Sequence, residues 1–281
     1  MIGHARYAET NSQLIDLLEA DHPAILVHRG SGRASIVENT CKGIKAAITE
    51  GADIVEIDIV ASTDGDYYLF HDGYEPMAFG IKDNLTTLST AELEKLNYSW
   101  ALMEPGSYPL ERLDTVLEKF PSTIFNIDRS WRWWPDLLSY MAERSSVGHL
   151  TVKCHASDET ALQALGGHDA KFPFIPIVTS PEQVDRIAAD VTLNTVAFEL
   201  LAPDLNHPFA DPSYLDSLRE RGFGLMLNAI NLADAVPLYA GFDDETSVLD
   251  DPDKGWGELR RRGADIIQTD WPSLLKNYLD S

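Results

Sequence analysis

Short apolar runs alternate with helical periodicity along almost the whole chain. A polar lead-in precedes a helix at about residues 13–20. Residues 24–28 form the first strand-like run. Residues 38–50 follow as a helix, with Gly43-Ile44 and Ala46-Ala47-Ile48 as its apolar positions and Gly51 as its stop. The second run covers 53–61. Thr63-Asp64-Gly65-Asp66 has turn chemistry, and 67–71 is a third run. Strands joined this tightly are ordinarily a hairpin, which a parallel sheet does not provide for. Residues 73–109 are irregular apart from one capped helix beginning Ser89-Thr90-Ala91-Glu92. After a helix at 110–119, strands are predicted at 123–128, 149–154, 174–179, 195–200, 223–228 and 265–269. Helices are predicted between and after them at 135–144, 157–165, 181–189, 212–221, 256–262 and 273–278. The stretch around 242–257, rich in Asp and Gly, reads as a loop.

Strands flanked by helices of this length favour a parallel sheet. About eight or nine of them favour an α/β fold of the closed (β/α)8, or TIM barrel, type over an open doubly wound sheet. Gly30-Ser31-Gly32 lacks the rest of a dinucleotide fingerprint. The 281 residues show no linker-like break, so one barrel domain over 1–281 is expected, with a small insertion at about 74–109 after the third strand-like segment.

Hydrophobic residues make up 44%, enough for a large core, yet no run approaches the roughly 18 apolar residues of a membrane span. Asp and Glu number 45 against 22 Lys and Arg, a net charge of −23. Such a surface repels nucleic acid and anionic lipid at long range, so neither a nucleic-acid partner nor stable membrane association is expected. A phosphodiester would be repelled too, so any site for one must invert the field locally. Cys41 and Cys154 lack metal-ligand spacing. Two free thiols without a signal-peptide pattern predict a reducing cytoplasm. Oligomerisation is left open.

Candidate chemistry sits at the predicted strand ends. Glu56 and Asp58 lie two apart on a strand that is otherwise apolar, so both leave the same face. A buried pair of like charges needs neutralising, and one divalent cation with oxygen ligands, Mg²⁺ or Ca²⁺, does so directly. His28 ends the first strand, His71 the third run and Asp128 the next strand, where barrel enzymes place catalysis. Lys153 inside a strand suits a phosphate contact. Glu199 would bind a substrate hydroxyl or pair with Lys153, and Asn228 and Asp270 are weaker strand-end candidates. Arg29 would clamp phosphate or pair with Asp72. Trp131, Trp133 and Trp134 are either rim packing or an aromatic wall for the substrate.

These residues resemble the glycerophosphodiester phosphodiesterase family, of the phosphatidylinositol-phosphodiesterase-like barrel superfamily. The likeness rests on His28-Arg29-Gly30, Glu38-Asn39-Thr40, Gly51-Ala52-Asp53 with Glu56 and Asp58, Thr63-Asp64-Gly65, His71-Asp72 and Thr269-Asp270-Trp271-Pro272. The resemblance implies a metal held by Glu56, Asp58 and Asp128, with Arg29 and the metal gripping the phosphodiester. It implies attack by a neighbouring substrate hydroxyl, with His28 as base and His71 as acid, through a cyclic phosphate. Lys153, Glu199, Asn228 and Trp271 join Arg29 as candidate contacts to the phosphate or the rest of a small-molecule substrate. The products would be glycerol 3-phosphate and an alcohol. Two departures stand out: Asn126-Ile127-Asp128-Arg129-Ser130 replaces the usual Asn-Ile-Glu-x-Lys, and Leu225-Met226-Leu227-Asn228 replaces Trp-Thr-Val-Asn. They point to an altered pocket and to a sugar phosphodiester of opine type as an alternative substrate. A lipid-cleaving relative and a non-catalytic phosphometabolite-binding barrel are the other readings.

Overall fold

A computed structural model of the chain describes residues 2–99, 108–232 and 236–281. Eight parallel strands run β1 (Ala24–Val27), β2 (Ile54–Ala61), β4 (Ile124–Asp128), β5 (Leu150–Val152), β6 (Ile177–Val178), β7 (Ala197–Leu200), β8 (Gly224–Asn228) and β9 (Ile266–Thr269). Their hydrogen-bonded order is β5-β4-β2-β1-β9-β8-β7-β6. Parallel bridges Val152–Phe174 and His155–Ile177 join the two ends of that path and close the barrel. The fold is therefore the expected (β/α)8 barrel.

The closed sheet has two faces with different fates. Ala24, Leu26, Ile54, Ile124, Met226 and Ile266 point inward at the N-terminal end and pack with Leu14 and Leu18 of the helix Ser12–Leu18, which plugs that end. Residues of opposite parity, such as Ile25, Val27, Val55, Ile57 and Phe125, pack outward against the surrounding helices. Strands buried on both faces must be apolar at nearly every position, which is why the runs showed so little alternation.

The third run is not a barrel strand. Tyr67–Leu69 (β3) pairs antiparallel with the far end of β2, Ile59 opposite Leu69 and Ala61 opposite Tyr67. Strand β2 is long enough to serve the barrel and, beyond it, this hairpin. The hairpin and the short helices Glu75–Ala78 and Thr90–Leu93 share a satellite core of Val60, Tyr68, Phe70, Leu85, Leu93 and Tyr98. Residues 100–107 of the anticipated insertion lie outside the described residues.

Two expectations need correction. The helix expected over 38–50 is Cys41–Thr49, capped by Thr40, whose hydroxyl accepts from the Gly43 amide. Glu38 and Asn39 are loop residues, and Asn39 is left-handed at φ 53°. The stretch 242–257 is not simply a loop: Asp244–Leu249 is helical, capped by Asp243. Five Asp residues and two Gly across that stretch hid a helix whose acidic first turn suits its dipole.

Candidate active site

The inward parity that places Ile54 and Ile124 in the barrel floor places Glu56 and Asp58, and Asn126 and Asp128, above them. Asp58 and Asp128 are register partners across β2 and β4. Ligand atoms of Glu56, Asp58 and Asp128 all lie within 4.8 Å of one another. Glu56 and Asp58 are almost fully buried. Glu56 Oε2 accepts from the Arg29 amide at 2.6 Å, while Oε1 is buried with no partner among the described residues. Burial, then the charges of Asp58 and Asp128, push the Glu56 carboxyl up to about 8. Asp58 Oδ2 accepts from Asn39 Nδ2 at 2.9 Å and lies 3.2 Å from Arg29 Nε. An orphaned carboxylate oxygen aimed among two further acids fits a hard divalent cation bound through oxygen.

The Arg29 guanidinium is held charged. Burial opposes the charge, but Asp58, Glu38 and Glu56 outweigh it. Its ion pairs are with Glu38 at 3.0 Å and Asp58, not with Asp72. Asp72 instead takes Arg129 at 2.7 Å and Arg132 at 3.4 Å. Both arginines have left-handed backbones, Arg29 at φ 54° after β1 and Arg129 at φ 52° after β4, so it is the strand each follows that differs.

The two histidines are held alike but differ in electrostatics. His28 Nδ1 is 3.1 Å from Asp270 Oδ1, and His71 Nδ1 is 2.9 Å from the Asp72 carbonyl oxygen. Each acceptor selects the Nδ1–H tautomer and leaves Nε2 free. Burial lowers the proton affinity of His28, but the Asp270 hydrogen bond and the Glu56 and Asp270 charges raise it overall. For His71 burial dominates; Asp58 opposes it, Arg29 and Arg129 reinforce it, and the net direction is down. The Tyr74 ring touches both His71, edge-on at 4.9 Å, and the Arg29 guanidinium at 5.0 Å.

Asp244 is the residue the sequence reading overlooked. It is buried in the unexpected helix and accepts from Trp256 Nε1, the Thr269 hydroxyl and the Asp270 amide, each at 2.7 Å. It thereby fixes the Thr269-Asp270 turn that carries the partner of His28. An Asp directly after a helix cap in an acidic loop gave no local signal of that reach.

Lys153, Glu199 and Asn228 meet in the barrel interior. Lys153 Nζ lies 2.7 Å from Asp128 and 3.2 Å from Glu199, and Asn228 Nδ2 donates to Glu199 at 2.8 Å. Burial disfavours the ammonium, but Asp128, Glu199 and Glu56 hold it charged. Lys153 thus sets a buried positive charge beside Asp128. Trp271 sits at the rim with Arg33 stacked on it at 4.6 Å. An open pocket of about 430 Å³ is lined by His28, Arg29, Arg33, Tyr74, Asp270 and Trp271. The three clustered tryptophans do not line it. Trp131, Trp133 and Trp134 pack on the barrel's outer core, Trp131 edge-on to His155. Cys154 is buried and its thiol is pushed up by that burial, so it is no nucleophile.

Residues 28–147 match the model of the Glycerophosphoryl diester phosphodiesterase family, and 174–279 match a family described only as a domain of unknown function. Lysophospholipase D GDPD1 of Homo sapiens is 25% identical over 277 residues, covering 90% of this chain and 84% of that protein. Among solved structures, a glycerophosphodiester phosphodiesterase from Thermotoga maritima has TM-score 0.67 at 20% identity, covering 92% of this chain and 100% of its own. An Oleispira antarctica phosphodiesterase in complex with the product sn-glycerol-3-phosphate has TM-score 0.69 at 19% identity, covering 92% and 98%. The barrel is the fold of these solved phosphodiesterases, and the stretch matched by the family model holds His28, Glu56, Asp58, His71 and Asp128. By motif and family match, the chain is similar to glycerophosphodiester phosphodiesterases, most directly over residues 28–147.

Proposed function

We propose that this single-domain barrel cleaves a glycerophosphodiester to glycerol 3-phosphate and an alcohol, using one divalent cation, Mg²⁺ or Ca²⁺, held by Glu56, Asp58 and Asp128. The carrying observation is the unpartnered buried Glu56 oxygen within a three-carboxylate cluster whose neighbours are Arg29 and the two histidines. Held by Glu56, Asp58 and Asp128, such a cation would neutralise the acids and offset charge on the phosphate. Arg29 adds a fixed positive charge beside it. His28, oriented by Asp270, takes the proton of the glycerol hydroxyl next to the phosphate. That oxygen bonds to phosphorus, the bond to the leaving oxygen breaks, and His71 gives that oxygen its proton; its lowered proton affinity makes His71 the stronger donor of the two histidines but restricts the reaction to the fraction of molecules in which it is protonated. The resulting cyclic phosphate is opened by water, with the two histidines exchanging roles. Lys153, Glu199 and Asn228 hold substrate hydroxyls, and Trp271 packs on the substrate at the rim.

The substrate is a small molecule. A surface of net charge −23 disfavours nucleic acid. Among the described residues no helix is long and apolar enough to cross a membrane. Two unbridged cysteines fit a reducing, cytoplasmic setting. A sugar phosphodiester with a vicinal hydroxyl is the second reading, favoured by the hydrogen-bonding Lys153–Glu199–Asn228 wall.

The test is hydrolysis of glycerophosphodiesters and sugar phosphodiesters followed by ³¹P NMR with Mg²⁺, Ca²⁺ or EDTA. Metal-dependent conversion to a monoester through a transient cyclic phosphate supports the reading. No turnover of any diester would move weight to a barrel that binds a phosphometabolite without chemistry.

A further inference from the structure

A second cavity, about 80 Å³, adjoins the catalytic pocket and shares Gly32, Glu38 and Tyr74 with it. Its walls are Ile36, Val37, Phe70, Met77, Ala78 and Tyr98. They come from the loop before the first barrel helix and from the satellite layer on the hairpin. The cavity lies on the His71 side: Phe70 precedes His71 in the chain and Tyr74 packs on its ring. Among its walls Tyr98 is 6% exposed, and its hydroxyl is buried with no partner among the described residues. Such a group is costly unless something arrives to bond it. The charged lining group, Glu38, is engaged by Arg29 at 3.0 Å, so no cation lines the cavity to receive a second anion.

We infer that this slot is the leaving-group subsite, and that it takes an uncharged short-chain alcohol whose distal oxygen bonds to the Tyr98 hydroxyl. This rests on the phosphodiesterase reading, in which His71 protonates the leaving oxygen. The volume holds a chain of roughly four or five heavy atoms. The apolar walls favour carbon over charge, and the unpartnered Tyr98 hydroxyl gives a polar anchor. A quaternary ammonium head would fill the slot before its connecting carbons were placed, and a carboxylate would be stripped of water among apolar walls beside the charge of Glu38.

The test is kcat/KM for glycerol 3-phosphate diesters of methanol, propanol, 2-methoxyethanol and choline. The slot predicts a rise from methyl to propyl, a further rise for 2-methoxyethyl, and the choline ester below both. In Ala78→Leu, which narrows the slot, the propyl-to-methyl ratio should fall about tenfold. In Tyr98→Phe the 2-methoxyethyl-to-propyl ratio should fall about fivefold, with no loss of stability because a buried unpaired hydroxyl is removed. Flat dependence on the alcohol, or preference for choline, would overturn the subsite while leaving the phosphodiesterase reading intact. No turnover of any ester would sink that reading instead. The slot would then be decided by ¹³C methyl NMR of Ile36 and Met77 titrated with 2-methoxyethanol. Saturable shifts in the wild type, lost in Ala78→Leu, would support it, and their absence would refute it.

Discussion

At the residue scale, Glu56 carries the strongest consequence. Its carboxyl is pushed up to about 8, so below that pH the metal-free protein keeps the proton there. A cation binds the carboxylate and must displace that proton. Metal affinity should therefore fall as pH drops below about 8, and calorimetry in buffers of different ionisation heat should report proton release on binding. Constant affinity from pH 6 to 8.5 would contradict it. Asp270 raises the proton affinity of His28 through its hydrogen bond and charge. As the base, His28 must be neutral, so Asp270→Asn should move the acidic limb of the kcat/KM profile to lower pH, with lower maximal activity. Lys153 is charged and buried between Asp128 and Glu199. Removing it as Lys153→Met should cost about 3–5 kcal/mol in denaturant unfolding, and adding Glu199→Gln should recover part of that loss. At this scale the sequence was informative wherever a charge interrupted an apolar strand, as at Glu56, Asp58 and Lys153. It was silent on pairing. That Arg29 pairs with Asp58 while Arg129 takes Asp72 is a matter of tertiary placement that neither Arg announces locally.

At the element scale, the barrel strands and most helices were legible because buried parallel strands leave long apolar runs and each helix keeps its own period. The hairpin Tyr67–Leu69 was flagged by its tight turn but its place, outside the barrel, follows from the length of β2. The helix Asp244–Leu249 was missed because its first turn is acidic and its apolar face is short. The helix Cys41–Thr49 began later than expected because Glu38 and Asn39 serve the site instead. Its approach is set by Gly43: an added Cβ there would sit 2.7 Å from the Val37 carbonyl oxygen. Gly43→Ala should push the helix off the 37–39 loop, cost about 1–3 kcal/mol of stability, and weaken metal binding by loosening Asn39 from Asp58. Intact metal affinity in a destabilised Gly43→Ala would show that the loop's grip on Asp58 is dispensable.

At the scale of the whole molecule, a net charge of −23 surrounds the pocket proposed to receive an anionic diester. Arg29, Arg33 and Lys153, each paired with carboxylates, would need the proposed cation among the acids to offset the local negative charge, and the approach remains repulsive. Screening should help: kcat/KM for an anionic diester should rise about two- to threefold between roughly 0.02 and 0.3 M KCl, mainly through KM. A fall would indicate long-range attraction that this surface does not provide.

The claim on which the rest depends is that Glu56, Asp58 and Asp128 hold one divalent cation. Isothermal titration of Mg²⁺ and Ca²⁺ into the wild type and Glu56→Gln tests it most directly, since the amide can still accept from the Arg29 backbone and the fold should persist. One site per chain in the wild type, with affinity lost or greatly weakened in the folded variant, is the predicted result. No binding in the wild type, or equal binding in both, would contradict the account.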